Sequence, residues 1–61
     1  MVVNDILRLV NEHCRVIIDT KNSDGTYTIL EECPAVNVSS MRSYAEVMEV
    51  GVMNDALVIT I

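Results

Sequence analysis

Few side chains in this 61-residue sequence are of the types that perform catalysis or bind metals. His13 is the only imidazole, and it lies beside Cys14, while Cys33 follows far along the chain. A structural zinc site takes four Cys or His ligands at close spacing, and neighbours on a strand point to opposite faces. We therefore expect no metal site and no cofactor, and we expect two reduced thiols that pack as small hydrophobic groups.

The sequence also lacks the residue patterns of an enzyme. Ser39, Ser40 and Ser43 have no histidine near them, and Gly25 and Gly51 stand alone rather than in a phosphate-binding loop. A chain this short has little room for a concave catalytic site. We therefore expect no catalytic residues, and we expect the serines to cap helices and solvate loops.

Acidic residues outnumber basic ones by nine to four, and the formal charge is −5. Direct binding of nucleic acid needs clustered Lys and Arg, so none is expected. Carboxylates can instead occupy a basic groove of a protein partner, where phosphates would otherwise lie. The competing interpretation is that the charge only keeps a small domain soluble. The candidate partner-binding residues are Asp19, Asp24, Glu31, Glu32, Glu46, Glu49 and Asp55.

Composition favours one small domain that covers residues 1–61. Half of the residues are hydrophobic (51%), but Trp and Phe are absent, so the core must consist of Val, Ile, Leu and Met. No apolar run approaches the roughly 20 residues of a transmembrane helix, and Met1–Asp5 lack the basic start of a signal peptide. These features predict a cytoplasmic protein without membrane contact.

The first half of the chain predicts a helix followed by a β-hairpin. An apolar stripe indicates a helix over residues 4–12, with Asn4 as its N-cap. Segments rich in β-branched residues predict strands at 14–20 and 26–32, joined by a four-residue loop at 22–25. The predicted register places Cys14 opposite Cys33, Arg15 opposite Glu32, Ile17 opposite Leu30 and Ile18 opposite Ile29. In that register, mild oxidation would link the two cysteines within one chain.

The second half predicts a short helix over residues 40–45 and a second hairpin. A two-residue type I′ turn at Asn54-Asp55 sorts the flanking side chains into one wholly apolar face and one mixed face. The alternative is that the helix continues to Val50 and ends at Gly51. The predicted pairs are Met48 with Ile61, Glu49 with Thr60, Val50 with Ile59, Gly51 with Val58, Val52 with Leu57 and Met53 with Ala56.

Together these elements predict an α+β fold. A short N-terminal helix, two antiparallel hairpins that form a four-stranded sheet and a short connecting helix account for the whole chain. Apolar residues fall on both faces of that sheet, and one helix cannot cover both, so a homodimer is expected. The candidate dimer-interface residues are Ile17, Leu30 and Val58.

The two ends of the chain resemble small acidic accessory proteins of phages and prophages. The segment Asn4–Asn11 followed by Cys14–Ile18 is similar to their start, and Asn54–Ile61 is similar to their closing strand. Some of those proteins, including anti-CRISPR proteins, inhibit host nucleases by presenting an acidic surface to a nucleic-acid channel. The resemblance implies a non-enzymatic inhibitor that occupies a basic surface of a host protein. The alternative function is an assembly module whose role is its own homo-oligomer.

Overall fold

Seven short elements follow one another along the chain, and a computed structural model describes all 61 residues. Most residues of regular structure lie in strands, and the helices are single turns. The elements are α1 (Val3–Leu7), β1 (Arg15–Lys21), β2 (Tyr27–Pro34), a 3₁₀ turn (Ala35–Asn37), α2 (Ser40–Ser43), β3 (Glu49–Met53) and β4 (Ala56–Thr60).

The four strands form one mixed sheet in the order β2-β1-β4-β3. Each hairpin is antiparallel, and the two hairpins join through β1 and β4, which run parallel. A parallel pair needs a long crossover between its strands, and here β2, the 3₁₀ turn, α2 and β3 all lie between them in sequence. The predicted α+β fold, with two hairpins in a four-stranded sheet, is confirmed.

The second hairpin forms as the sequence predicts. Asn54 and Asp55 both have positive φ (50° and 63°), as a type I′ turn requires. Five predicted pairs, from Glu49 with Thr60 to Met53 with Ala56, are present in the register. The sixth is absent, because the Met48 N–H donates to the Thr60 carbonyl (2.8 Å) and β4 ends there. The alternative helix through Val50 is excluded, and α2 lies within the predicted 40–45 segment.

The predicted register of the first hairpin is wrong. Val16 lies opposite Cys33 and Ile18 opposite Glu31, and a bulge then shifts the pairing so that Asp19 lies opposite Ile29. The loop spans five residues rather than four. The Asn22 side-chain amide holds it closed by donating to the hydroxyls of Thr26 and Thr28, both at 2.9 Å.

This register separates the two cysteines. The Ala35 N–H donates to the Cys14 carbonyl (2.8 Å), so Cys14 lies diagonally from Cys33 rather than opposite it. Diagonal neighbours are about 7–8 Å apart, beyond the usual Cα separation in a disulfide. Both thiols are free and partly buried. Burial, together with the Glu31 carboxylate, also raises the pKa of the Cys33 thiol, which makes the reactive thiolate scarcer.

We therefore expect no intrachain disulfide after mild oxidation of the folded protein. Intact-mass measurement should find both thiols still reduced, and the same oxidant should link them once urea has unfolded the chain. Rapid intrachain linkage in the folded state would contradict the observed register.

The N-terminal helix is shorter than predicted, ending at Leu7 rather than near residue 12. Its N-cap is Val2, not Asn4, and the Asp5 carboxylate accepts a hydrogen bond from the Val2 N–H (2.9 Å). Past the helix, the Asn11 side chain accepts from the His13 N–H (2.8 Å). Such local bonds compete with helical ones, so the chain leaves the helix early and enters β1 through a turn at residues 12–14.

The core lies on one face of the sheet, which we call the covered face. Val16, Ile18 and Ile59 point from the inner strands toward Val3 of α1 and Ala35 of the 3₁₀ turn, and these five residues form one buried cluster. Leu30 is the extra residue of the bulge and packs against this cluster. The prediction that Leu30 shares a face with Ile17, away from Ile18, is therefore wrong, because the bulge reverses the alternation of side chains in β2.

Candidate functional site: the open face of the sheet

The other face of the sheet carries no helix, and we call it the open face. Parallel pairing places Ile17 beside Val58 and Asp19 beside Thr60 on this side. The outer strands contribute Ile29 and Tyr27 from β2, and Glu49, Gly51 and Met53 from β3. All of these residues line one groove of about 360 Å³. The groove is mostly apolar and has a few polar groups at one end, which is the usual character of a binding surface.

The centre of the groove is shallow and apolar. Ile17 and Val58 form its floor, and Ile29 and Met53 rise on its two sides, each more than half exposed. Glycine at position 51 adds no side chain, so the floor continues to the edge at β3. Ile17 itself is only 9% exposed, so Ile29 and Met53 supply most of the accessible apolar surface, and such a surface commonly marks an interaction site.

A contact between the two outer strands closes one end of the groove. The Tyr27 hydroxyl, on β2, donates to the Glu49 carboxylate on β3 (3.3 Å), although β1 and β4 lie between them. The sheet therefore curls strongly at this end. Beneath the contact, Asp19 and Thr60 are only 7% and 4% exposed, and the Thr60 hydroxyl donates to the Asp19 carboxylate (2.5 Å). This enclosed pair fixes the polar end of the groove.

Two of the seven predicted acidic residues are wholly or partly buried and are bound by neighbouring side chains. Asp19 lies in the buried pair with Thr60 at the polar end of the groove, and its carboxylate is already bound there. Glu31 points to the covered face, where its carboxylate accepts from Ser39 N–H (3.1 Å), Ser39 Oγ (3.2 Å) and Arg42 Nη1 (3.3 Å). The expectation that both carboxylates lie on an accessible surface is wrong, because each satisfies polar groups that the fold buries.

The remaining five carboxylates are exposed but do not form one patch. Glu32 pairs with Arg15, and Glu46 pairs with the N-terminal ammonium (3.1 Å). Asp24 and Asp55 lie in the two hairpin turns, which the parallel pairing of β1 and β4 places at opposite ends of the sheet. Hydrogen bonds from the Thr26 hydroxyl and N–H lower the pKa of Asp24, so this carboxylate stabilises its own turn. Only Glu49 and Glu32 border the open face.

Glu31 connects β2 to the segment that begins α2. Partial burial alone would raise the pKa of this carboxyl, but the hydrogen bonds from Ser39 and Arg42 outweigh it, and the pKa lies below its usual value. A folded-state pKa below the unfolded one adds stability at neutral pH. That contribution is lost as the pH falls through the folded pKa.

Replacing Glu31 by Gln should therefore destabilise the protein by about 1 kcal/mol at pH 7. The difference from the wild type should shrink as the pH falls below the usual Glu pKa of about 4.3 and through the lowered pKa of Glu31, because the wild-type carboxylate then becomes protonated as well. Urea unfolding followed by circular dichroism at several pH values measures this. Asp55→Asn, in an exposed turn, is the control and should change little at any pH. If Glu31→Gln were less stable than the wild type by the same free energy of unfolding at every pH, the proposed role of the Glu31 charge would be contradicted.

Sequence reasoning missed the outer walls of the groove. Tyr27 and Ile29 were placed in β2, but the wrong register concealed that both share the open face with Ile17. The available signal is the spacing of the two residues: positions 27 and 29 are two apart on a strand, so their side chains lie on the same face. Met53 was assigned to the mixed face of the second hairpin, where the structure has it.

The residues considered first for chemistry do not come together. His13 is exposed in the loop before β1, and its nearest charged neighbour is Glu12 (3.5 Å). No group of three or more His, Cys, Asp and Glu side chains is close enough to hold a metal ion. Neither helix has the length and apolar character needed to cross a bilayer.

No family model matches this chain, and comparisons with curated proteins and with solved structures also give no match.

Proposed function

We propose that this chain is a small, non-enzymatic binding protein that docks its open face onto a protein partner with a basic surface. The observation that carries the proposal is an apolar groove bordered by charged and aromatic residues on a sheet face without a covering helix. Interfaces commonly have an apolar centre and a polar rim, with Tyr and Met enriched. Here Ile17 and Val58 form the centre, and Tyr27 and Met53 stand near its margins.

The size of the open face suits such a role. The two long dimensions of the molecule are 33 and 24 Å, so its broad side has an area of roughly 800 Å², which a standard interface buries on each partner. A partner that covers this whole side, and not the groove alone, would therefore use about a fifth of the 4052 Å² of accessible surface.

Charge supports the choice of a basic partner. The net charge of −5 attracts a cationic surface over distances longer than a contact. Glu49 borders the groove, and Glu32 lies opposite Ile17 on the same face beyond it, so both are positioned to meet Lys or Arg at the rim of a docked protein. The charge thus favours encounter with a basic partner, and the apolar centre supplies the contact area.

The resemblance to phage and prophage accessory proteins supports a more specific version of this proposal. In it, the chain acts in the cytoplasm of a host as an inhibitor that blocks a basic, nucleic-acid-binding surface and does not itself bind nucleic acid. Its acidity and its small size are the features in favour.

An assembly module that works as a homo-oligomer is the second candidate. One observation favours it: β3, at the edge of the sheet, is exposed along its whole length. The expected interface residues Ile17 and Val58 lie in the groove floor, where a second copy would meet them, whereas Leu30 does not.

Two exposed residues of similar size allow a matched test of the open face. Ile29 is 59% exposed in the groove wall, and Val36 is 60% exposed in the 3₁₀ turn on the covered side. Immobilised wild type, Ile29→Glu and Val36→Glu are each presented to the same lysate, and captured proteins are quantified by mass spectrometry. We expect Ile29→Glu to lose a partner by tenfold or more, because the substitution places a charge in the apolar groove wall, while Val36→Glu retains it.

The identity and salt response of the retained partner complete this test. A captured protein with a basic surface, whose binding weakens as salt rises, supports the proposal. Equal retention by both variants would exclude the open face, and a salt-independent or acidic partner would exclude the electrostatic part.

A further inference from the structure

The outer edge of β3, a strand of five residues, lacks three of the features that normally prevent strand pairing, namely Lys, Pro and a bulge. Natural sheets protect their edges with Lys, Pro, bulges or short strands. The opposite edge strand, β2, has a bulge at Leu30 and ends at Pro34. β3 contains neither Lys nor Pro, and all five of its residues are exposed. Of the two edges, β3 is therefore the one open to a further strand.

The free part of this edge begins after Val47. The Val47 N–H donates to the Met1 carbonyl (2.8 Å), whereas the next N–H, that of Met48, donates to Thr60 on β4 (2.8 Å). These two N–H groups point in opposite directions, so Met1 lies on the side of the chain that faces away from β4. The N-terminal segment covers the edge up to Val47 and leaves Glu49–Met53 uncovered.

The type I′ turn determines which backbone groups of β3 point outward. In a β-turn the first carbonyl accepts from the fourth N–H, so Met53 and Ala56 form a hydrogen-bonded pair. Such pairs alternate with non-bonded pairs along an antiparallel ladder. Gly51 is therefore bonded to β4, while the N–H and C=O groups of Val50 and Val52 point away from the sheet.

We infer that β3 pairs with β3 of a second copy of this chain, antiparallel about a two-fold axis at Gly51. In this register Val50 of each copy lies opposite Val52 of the other, and both outward-pointing residues form reciprocal backbone hydrogen bonds. If the two-fold axis lay at Val50 or Val52 instead, only one pair of residues would form reciprocal backbone hydrogen bonds, rather than two pairs. Glu49 lies opposite Met53 of the second copy, so no like charges face each other.

Gly51 is compatible with this pairing and leaves free space at the axis. Its φ is not in the left-handed region, and a Cβ built on it would meet no atom within 4 Å. Neither the backbone nor the packing of the single chain therefore requires glycine, although glycine weakens a strand. Gly51 would face Gly51 of the second copy in a non-hydrogen-bonded pair, where Cα atoms approach to about 4.5 Å. A glycine suits such a close approach of two backbones.

Pairing would also extend the open face. Met53 of the second copy would stand beside Glu49 at the groove margin, and on the covered side the exposed side chains of Val50 and Val52 would contact those of the second copy. This inference gives the second candidate function, the homo-oligomer, a specific interface, and it can fail while the binding of a partner protein to the open face still holds.

Directed disulfide formation tests the register. Both native cysteines are first replaced by Ser, and Gly51→Cys or Met53→Cys is then introduced. Position 51 of one copy lies opposite position 51 of the other, within the Cα separation that a disulfide allows. Position 53 lies opposite position 49 of the other copy, four residues away from that copy's position 53. We expect Gly51→Cys to give a covalent dimer on oxidation and Met53→Cys to remain largely monomeric, as measured by non-reducing electrophoresis. Equal linkage of both variants, or of neither, would overturn the register.

Two variants of opposite charge test the same pairing without cysteine, in case a cysteine variant fails to fold. Sedimentation velocity of the wild type should detect a dimer that grows with concentration. The double variants Val50→Glu/Val52→Glu and Val50→Lys/Val52→Lys should each be monomeric, and mixing them should restore a one-to-one dimer. A wild type that stays monomeric up to millimolar concentration, or a mixture that does not associate, would overturn the inference in favour of a strand from a different protein.

Discussion

Replacing Ile18 by Ala should remove a large part of the stability of this protein. Ile18 lies at the centre of the covered face, is fully buried and packs in the cluster that contains Val3 and Ile59. Deleting this much buried hydrocarbon costs about 2–5 kcal/mol, because the cavity closes only partly. A chain of this length has roughly 3–9 kcal/mol of stability in total. Urea unfolding followed by circular dichroism should find the variant partly unfolded even without denaturant.

Ile29→Ala is the matched control for this prediction. The same side chain is deleted from the neighbouring strand, but at a position that is 59% exposed on the open face. Its free energy of unfolding should change by about 0.5 kcal/mol or less. If both variants lost the same stability, the assignment of the two faces would be wrong.

Replacing Thr60 by Val should also destabilise the fold, through a polar rather than an apolar contact. Valine keeps the shape of threonine but removes the hydroxyl that donates to the Asp19 carboxylate. Water has little access to this carboxylate, and the buried polar side-chain atoms of the chain all have partners. Without the hydroxyl donor, the Asp19 carboxylate loses this partner, and the free energy of unfolding should fall by about 1–3 kcal/mol.

Thr60→Ser separates the hydrogen bond from the packing. Serine loses a methyl group but retains the donor, so this variant should remain more stable than Thr60→Val in urea unfolding at neutral pH. The reverse order would mean that Thr60 contributes through its methyl group, and that the Asp19 contact adds nothing to stability.

The second hairpin could be predicted from sequence because a single local signal determines its register. Asn54 and Asp55 tolerate positive φ, a two-residue type I′ turn permits one pairing, and that pairing sorts the apolar side chains to one face. The information lies within a dozen consecutive residues, so no distant contact was able to override it.

The first hairpin could not be predicted in the same way, because distant residues decide its register. A pairing of Ile18 with Glu31 looks unfavourable when only the two strands are considered. It becomes favourable once Ser39 and Arg42 fold back and satisfy the Glu31 carboxylate on the covered face. The Arg15–Glu32 ion pair forms nonetheless, since long side chains also reach diagonal neighbours.

The candidate site depended on this same hairpin. Ile17 and Val58 were identified because they alternate with core residues, and they do form the groove floor. Asp19 was misassigned because its burial under the Tyr27–Glu49 contact depends on how strongly the sheet curls. The pattern of side chains along a strand determines faces, but it does not determine curvature.

Amide nuclear magnetic resonance with the captured partner tests the central claim most directly. The protein is labelled with ¹⁵N, its backbone signals are assigned, and the partner is added in increasing amounts. If the open face binds, the largest shift changes will fall on Ile17, Ile29, Gly51 and Val58 and their neighbours in the groove, while α1 and the 3₁₀ turn around Val36 change little. Changes concentrated on α1 and the 3₁₀ turn, with the groove residues unaffected, would contradict the proposed binding surface.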